Sequence, residues 1–411
     1  MQVAVDGECP PPKLMVQEVR AAAMSFPART GLGCENVSPR ALARLSDETL
    51  MILVELFAEY EREGKWPSLH AMVIIVLLPK SDGGRRPIGL FPTLVRVWGR
   101  ARAGIARSWE QSKALPHIYG GSGMGAQRAA WQVAFRAEAA ACVKDYYAQT
   151  LLDLVKAFET LPHHLIAAAA RKHGYSMHVL RLSVASYRME RTLGVDGAFS
   201  RPVTATRGTT AGSTFATTEL RLLLLDVVLL MQRAFPAVTL TLYVDDATLE
   251  AWSSSQRHLV ALLAAATDCA VDTLQNKLLL EVSAKKSTVV GATQTIARSI
   301  AAASTTKACT PARHAKLLGV GSVGGRRRTT LVMQQRANHF RKKIPRIRAL
   351  RQAGVSAMRL VRTSGTPQVT YGVEVMGIAD TPLDALRHTI ARAVGPEAAG
   401  TNAEVTLMLS C

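Results

Sequence analysis

The sequence has few cysteines, and none of them is closely paired. The six (Cys9, Cys34, Cys142, Cys269, Cys309 and Cys411) are scattered over 411 residues without a C-x-x-C pair. That spacing argues against a zinc ribbon and a secreted disulfide scaffold, and suggests a reducing compartment. Long apolar runs are missing too. The two longest, residues 71–79 and 222–231, are too short for a membrane span or carry a charge, Asp226. Residues 1–13 hold Asp6, Glu8 and three prolines and do not read as a signal peptide. An intracellular protein, nuclear or cytoplasmic and not secreted, is therefore expected. No basic amphipathic helix flanked by aromatics stands out, so no membrane partner is expected.

Acidic residues are absent from one long stretch. Residues 282–373 contain no Asp or Glu and eighteen Lys and Arg. They supply nearly all of the formal net charge of +19. Such a segment repels itself without an anionic partner, and nucleic acid is the partner that fits.

What is present is globular: 48% hydrophobic and 20% charged residues. The length suggests two or three units and a core that needs no staple. The first forty residues, broken by Pro and Gly, are expected to pack loosely. Ser46 with Asp47 and Glu48 marks a helix start, and Gly64 its end. Residues 72–78 read as a buried strand, followed by a turn through Asp82-Gly83 and a return over 85–88. A basic helix is expected over 93–113. The Gly-rich loop 120–125 lacks the Gly-Lys-Ser/Thr of a phosphate cradle and reads as a flexible connector to a helix at 128–141. A strand at 149–153 and a helix at 162–173 follow. A Gly/Thr-rich loop from Gly208 runs into an apolar helix ending near Met231. Residues 239–244 and 247–252 alternate as a hairpin. A helix at 259–280, a strand at 316–320 and a basic helical region over 326–393 complete the pattern. The histidines, His163, His164 and His173 among them, show no metal-ligand spacing.

Three carboxylates carry the chemistry. Asp153 ends a strand, and Asp245 and Asp246 sit at a hairpin tip. Taken singly, each is ordinary turn or cap chemistry. Taken together, they can serve two divalent ions about 4 Å apart, as phosphoryl transfer to a 3′-hydroxyl requires. Magnesium needs few carboxylates and completes its shell with water and phosphate.

This ordered set resembles the reverse transcriptases: Asp153 with Phe158 five residues on, Gly208, Tyr243-Val244-Asp245-Asp246, and a lysine after it. Residues 80–88, with Lys80 and Arg86, resemble the fingers hairpin of the non-LTR retrotransposon and group II intron branch. Ala284-Lys285-Lys286-Ser287 resembles the motif after the catalytic hairpin, and Lys316-Leu317-Leu318-Gly319-Val320 the primer-grip segment. The match covers about residues 73–320, more loosely to 396. It implies an α/β (α+β) right-hand polymerase with fingers, a palm of antiparallel sheet and helices, and a helical thumb. The implied domains are 1–68 (N-terminal extension), 69–322 (fingers and palm), 323–396 (basic thumb-like region) and 397–411 (tail).

The implied activity is RNA-directed DNA synthesis with two Mg2+ ions, or Mn2+. The partners would be an RNA template, a DNA or RNA primer and deoxynucleoside triphosphates. By resemblance, Asp153, Asp245 and Asp246 are catalytic metal ligands, with the Leu154 carbonyl beside them. Lys80 and Arg86 hold the triphosphate, and Phe158 gates against the ribose 2′-hydroxyl. Lys286 or Lys285 approaches the triphosphate, and the Arg207-Gly208 loop seats the nascent pair. Arg326, Arg327, Arg328, Arg336, Arg341, Lys342, Lys343, Arg346 and Arg348 hold the duplex through phosphates.

The loop departs from the family pattern Gln-Gly-x-x-x-Ser-Pro: Arg207 replaces glutamine and Gly212-Ser213 replaces Ser-Pro. That keeps a rival open, a catalytically impaired retroelement relic or maturase-like RNA-binding protein. An RNA-templated RNA polymerase fits less well, since the hairpin is not Gly-Asp-Asp. A basic structural protein is the remaining rival. No endonuclease module is evident before residue 69, and too few residues follow 396 for a ribonuclease H domain.

Overall fold

The computed structural model describes residues 3–410 except 6, 69–71, 81–82, 122, 196, 326–327, 397–399 and 401. The chain is a mixed α/β fold, the class expected. Its strands among the described residues are β1 (Met72–Pro79), β2 (Arg85–Leu90), β3 (Ile118–Tyr119), β4 (Tyr146–Leu152), β5 (Glu190–Val195), β6 (Ala198–Phe199), β7 (Thr239–Tyr243), β8 (Asp246–Ser253), β9 (Thr288–Gly291), β10 (Thr310–Ala312), β11 (Ala315–Leu317) and β12 (Val320–Ser322). The chain forms two compact units, each from three stretches. One comprises residues 1–116, 154–234 and 270–282, the other residues 117–153, 235–269 and 283–411.

The first unit holds a four-stranded sheet in the order β2-β1-β5-β6. β1 and β2 form the expected hairpin, and β5 joins β1 in parallel. Helix Asp47–Glu63 begins and ends where the sequence indicates. Ser46 Oγ accepts the Thr49 N–H, and Gly64 takes a left-handed conformation at φ 69°. The N-terminal forty residues do not pack loosely as expected. Helix Val16–Met24 buries Val19, Ala22 and Ala23, and Phe26 is buried beneath the guanidinium groups of Arg96 and Arg100. Small alanines and a cation–ring contact bury this segment without a long aliphatic stripe, so hydrophobic periodicity does not reveal it. Glu61 is buried with Arg102, which donates from Nε and Nη2 at 2.6 Å each, and accepts from Trp98 Nε1 at 2.7 Å.

The second unit is built on a six-stranded sheet in the order β10-β9-β4-β8-β7-β3. β4 lies between β9 and β8, antiparallel to both. Being central, it is buried on both faces: Tyr147, Ala148, Gln149, Thr150 and Leu152 are all shielded. Helix Ala126–Cys142 covers one face. From it Arg136 pairs with buried Glu250 of β8, which also accepts from Tyr147 Oη at 2.7 Å. The glycine loop before this helix is a closed turn. Gly120 N–H donates to the Met124 carbonyl at 2.7 Å. The segment expected as one strand at 316–320 is a hairpin, β11 with β12. Leu318 and Gly319 both take positive φ (47° and 84°) at its turn. That turn usually announces itself with Asn-Gly, so Leu-Gly hides it. The helix expected over 259–280 runs over Gln256–Asp272 and then widens into a π-turn, Thr273–Lys277. Helices Leu331–Gln352 and Asp380–Val394 pack around Phe340, Val361, Val369 and Leu386.

In the first unit, Glu219 lies on the apolar helix Ala216–Ala234 and is fully buried. It accepts from Ser183 Oγ and Tyr187 Oη, each at 2.6 Å. Burial pushes its carboxyl from 4.5 to about 7, and the two hydrogen bonds limit the rise. A raised folded pKa favours the protonated folded state. Its stabilisation is complete below about pH 4.5 and is lost as pH rises through about 7. Denaturation from about pH 5 to 8 is expected to show a fall on the order of 3 kcal/mol from this group. Glu219→Gln is expected to remove most of that slope; an unchanged slope would refute the assignment.

Candidate active site

The β4–β8 register places the acids. Leu152 pairs with Ala247 and Leu151 with Thr248. The ladder ends at the Leu152–Ala247 pair, and Asp153 and Asp246 are the next residues along the two chains. Opposed residues of an antiparallel pair share a face, with Cβ atoms about 4.5–5.5 Å apart. Continuing down that face come Leu151 opposite Thr248, then Gln149 opposite Glu250. The acids therefore stand at the end of a column in which Glu250 is paired, while Gln149 donates to Ser322 Oγ at 2.7 Å and leaves its buried Oε1 without a partner.

The β7–β8 turn is two residues long, Val244 and Asp245, between the paired Tyr243 and Asp246. Val244 has φ 58°. A β-branched residue there is strained, and strain of this kind gathers at functional turns. Gly120 makes room for it: a Cβ on Gly120 would lie 3.1 Å from Val244 Cγ2.

Ser287 Oγ accepts the Asp153 N–H at 3.0 Å, and Ser283 N–H donates to the Asp153 carbonyl at 2.8 Å. These bonds fix the backbone of Asp153 on the loop after it in space, residues 283–287. The same loop brings Lys286 Nζ to 3.6 Å from Asp153 Oδ1. Of the two lysines left open by the sequence, Lys286 makes this contact. Burial raises the Asp246 carboxyl from 3.8 to about 6, and the charges of Asp245 and Asp153 add to the rise. Asp153 and Asp246 line a cavity of about 320 Å3. Its walls also carry Lys286, His314 and Lys316. The cavity thus joins acids, which attract a cation, to cations, which attract phosphate.

The donor set suits a hard cation. Carboxylate oxygens are magnesium ligands, and three like charges crowded together are relieved by a divalent ion. Among the described residues, no group of three His, Cys, Asp or Glu side chains is arranged to hold a metal alone. An ion here would complete its shell with water or phosphate. Leu154 forms an isolated bridge with Val282. The flanking ladder bond runs from Val155 N–H to the Glu281 carbonyl, which leaves the Leu154 carbonyl outside the ladder.

Lys80, Arg86, Phe158, Arg207 and Gly208 lie in the first unit. The Gly208 loop is clamped onto the turn bearing Phe158. Thr209 N–H donates to the Phe158 carbonyl and Gly208 N–H to the Leu161 carbonyl, each at 2.7 Å. Gly208 has φ 84°, and a Cβ on it would meet the Glu159 carbonyl oxygen at 2.3 Å. Only glycine fits. Phe158 is half-buried, and Arg207 is exposed with no side-chain partner among the described residues. Lys80 and Arg86 are exposed at the β1–β2 hairpin. Ser81 and Asp82 of that motif lie outside the described residues.

Most of the basic region is engaged within the protein. Arg328 pairs with Glu138 and donates to the Val375 carbonyl at 2.9 Å. Arg336 lies 4.7 Å from the Tyr371 ring centre and donates to its carbonyl. Arg341 reaches Asn338, Lys343 reaches Gln368, and Arg348 reaches the Arg392 carbonyl. Lys342 and Arg346 are exposed and have no side-chain partner among the described residues. Arg326 and Arg327 lie outside the described residues.

Sequence reasoning missed His314 as a site residue, and quoted Lys316 only within a motif. No local pattern marks His314; it reaches the cavity because it directly precedes β11. The row Asp246, Thr248, Glu250 was a usable signal, since three polar residues on one face of a strand require partners. No protein-family model matches the sequence, and no curated protein matches it.

The raised Asp246 pKa has a measurable consequence. Its penalty is absent below about pH 3.8 and grows as pH rises through about 6. Asp246→Asn in chelating buffer is expected to raise denaturation stability by about 1–2 kcal/mol at pH 8, after discounting for solvent screening, and to change little near pH 3. Equal effects at both pH values would show that the repulsion is not the cause.

Proposed function

We propose that this chain is an RNA-directed DNA polymerase of retroelement type, adding deoxynucleotides to a primer 3′ end. The observation that carries the reading is that Asp153, just past the end of β4, and Asp246, the first residue of the neighbouring β8, line one cavity together with Lys286 and Lys316. On this reading the six-stranded sheet is the palm, the β1–β2 hairpin belongs to the fingers, and the basic helices from Leu331 form the thumb. Asp153, Asp245 and Asp246 would hold Mg2+, with the Leu154 carbonyl as a further oxygen. Bound there, the ions supply activation of the attacking hydroxyl and neutralisation of the leaving phosphate.

The chain's own groups do the rest. Ser287 and Ser283 hold the Asp153 backbone so that its carboxylate needs no reorganisation. Lys286 holds its Nζ 3.6 Å from Asp153 Oδ1. Lys316 and His314 offer cationic or polar contacts to a phosphate entering the cavity. Lys80, Arg86 and Phe158 take the triphosphate and sugar roles that the resemblance gives them. Lys342 and Arg346 offer exposed charge to a duplex backbone.

A second reading, a relic that binds RNA without turnover, is favoured by one feature: exposed Arg207 stands where the family pattern has glutamine.

Primer extension on an RNA template with deoxynucleotides and Mg2+ tests the proposal. Asp245→Ala is expected to reduce extension by about 10²–10³. No extension by a folded wild-type chain that still binds primer–template would move the assignment to the second reading. Phe158→Ala is expected to lower the preference for deoxynucleotides over ribonucleotides by about tenfold or more. Unaltered discrimination would remove Phe158 from the gate role.

A further inference from the structure

A cavity of about 520 Å3 in the first unit is lined by none of the carboxylates of the catalytic proposal. Its volume is in the range of small-molecule sites, roughly 300–1,000 Å3. Phe91, Trp98 and Phe215 form apolar walls and are buried. Ser186, Ser213 and Thr214 bring hydroxyls to the same space.

Arg96 and Arg100 stand at the cavity on one turn of helix Thr93–Ser112. Both guanidinium groups rest against the Phe26 ring, 4.9 and 4.2 Å from its centre. Arg96 is pinned to the Gly31 carbonyl and Thr30 Oγ1, at 2.6 Å each. Arg100 is held by Ser25 Oγ at 3.0 Å. A guanidinium has five N–H donors, so both arginines keep donors to spare. Two like charges held on one ring by fixed contacts attract an anion, a demand that Glu35 meets in part at Arg96. Burial lowers the Arg96 pKa; the Arg100 charge lowers it further, and Glu35 opposes both.

We propose that this cavity binds a nucleoside monophosphate unit, with the base between the aromatic walls and the phosphate on Arg96 and Arg100. Guanidinium forks match phosphate oxygens, aromatic walls stack bases, and hydroxyls can meet base edges. The unit can be a free nucleotide or the end of a strand. This site is separate from the carboxylate site and does not require that the chain polymerise.

The test uses the full-length chain carrying Asp245→Asn, in chelating buffer, so that neither turnover nor metal-dependent nucleotide binding contributes. Adenosine 5′-monophosphate is titrated, with binding read by calorimetry and by tryptophan emission from Trp98. Saturable binding is expected, weaker by about tenfold or more for adenosine without its phosphate. Arg100→Gln is expected to lose a similar factor. Thr214→Phe, at an exposed wall position, fills the space and is expected to abolish binding. A short single-stranded RNA with a 3′-phosphate is then added as competitor. Competition assigns the site to strand ends, and its absence to free nucleotide; both outcomes support the proposal. No binding at millimolar nucleotide overturns it, as does binding that survives both Arg100→Gln and Thr214→Phe. Loss of primer extension in Asp245→Ala bears only on the polymerase reading, so the two can fail separately.

Discussion

Two carboxylates at the ends of neighbouring strands repel, and a flexible chain would let them swing apart. Here seven consecutive residue pairs of the β4–β8 ladder, from Tyr146–Ser253 to Leu152–Ala247, fix the register up to the acids, and Ser283 and Ser287 hold the Asp153 backbone beyond it. A slip of one residue would turn each side chain to the opposite face and strip the buried column of its partners. The repulsion at the top is thus maintained by the packing below, where Tyr147, Gln149, Thr150 and Glu250 are buried. The catalytic proposal depends on that constraint, because Asp246, raised by burial and by the charges of Asp245 and Asp153, is a group that a cation would relieve.

The contrast with the other buried charges is instructive. Glu61 has Arg102 and Trp98, and Glu250 has Arg136 and Tyr147. Each of these acids sits in a closed set of donors. Glu219 is compensated by hydroxyls alone and responds by holding its proton near neutrality. Asp246 is left among like charges at the rim of a cavity. A protein that satisfies its buried acids elsewhere and leaves these exposed to each other concentrates electrostatic strain at one place.

Much of this was legible in the sequence. The β1–β2 hairpin and the helix bounded by Ser46 and Gly64 follow from local chemistry of turns and caps, while the β7–β8 hairpin was legible but its turn was expected at Asp245-Asp246 and lies at Val244-Asp245. Asp153 was legible as a strand-end acid, and Gly208 as a point of close backbone approach. The partners of these residues were not. That Ser287 grips Asp153, or that His314 reaches the cavity, depends on strand neighbours far apart in sequence, which periodicity does not encode. The Leu318-Gly319 turn was hidden by an atypical residue pair. The N-terminal segment was hidden by reliance on small residues and a cation–ring contact.

The basic helices carry a last consequence. Arg328, Arg336, Arg341, Lys343 and Arg348 spend donors on carbonyls and side chains of their own fold. Their charge still contributes to the long-range field, but their geometry is committed. For a nucleic-acid ligand, counterion release counts phosphates neutralised at contact rather than net charge. The chain would therefore draw in a polyanion quickly through its field, yet hold it with a shallower dependence on ionic strength than a count of its arginines suggests.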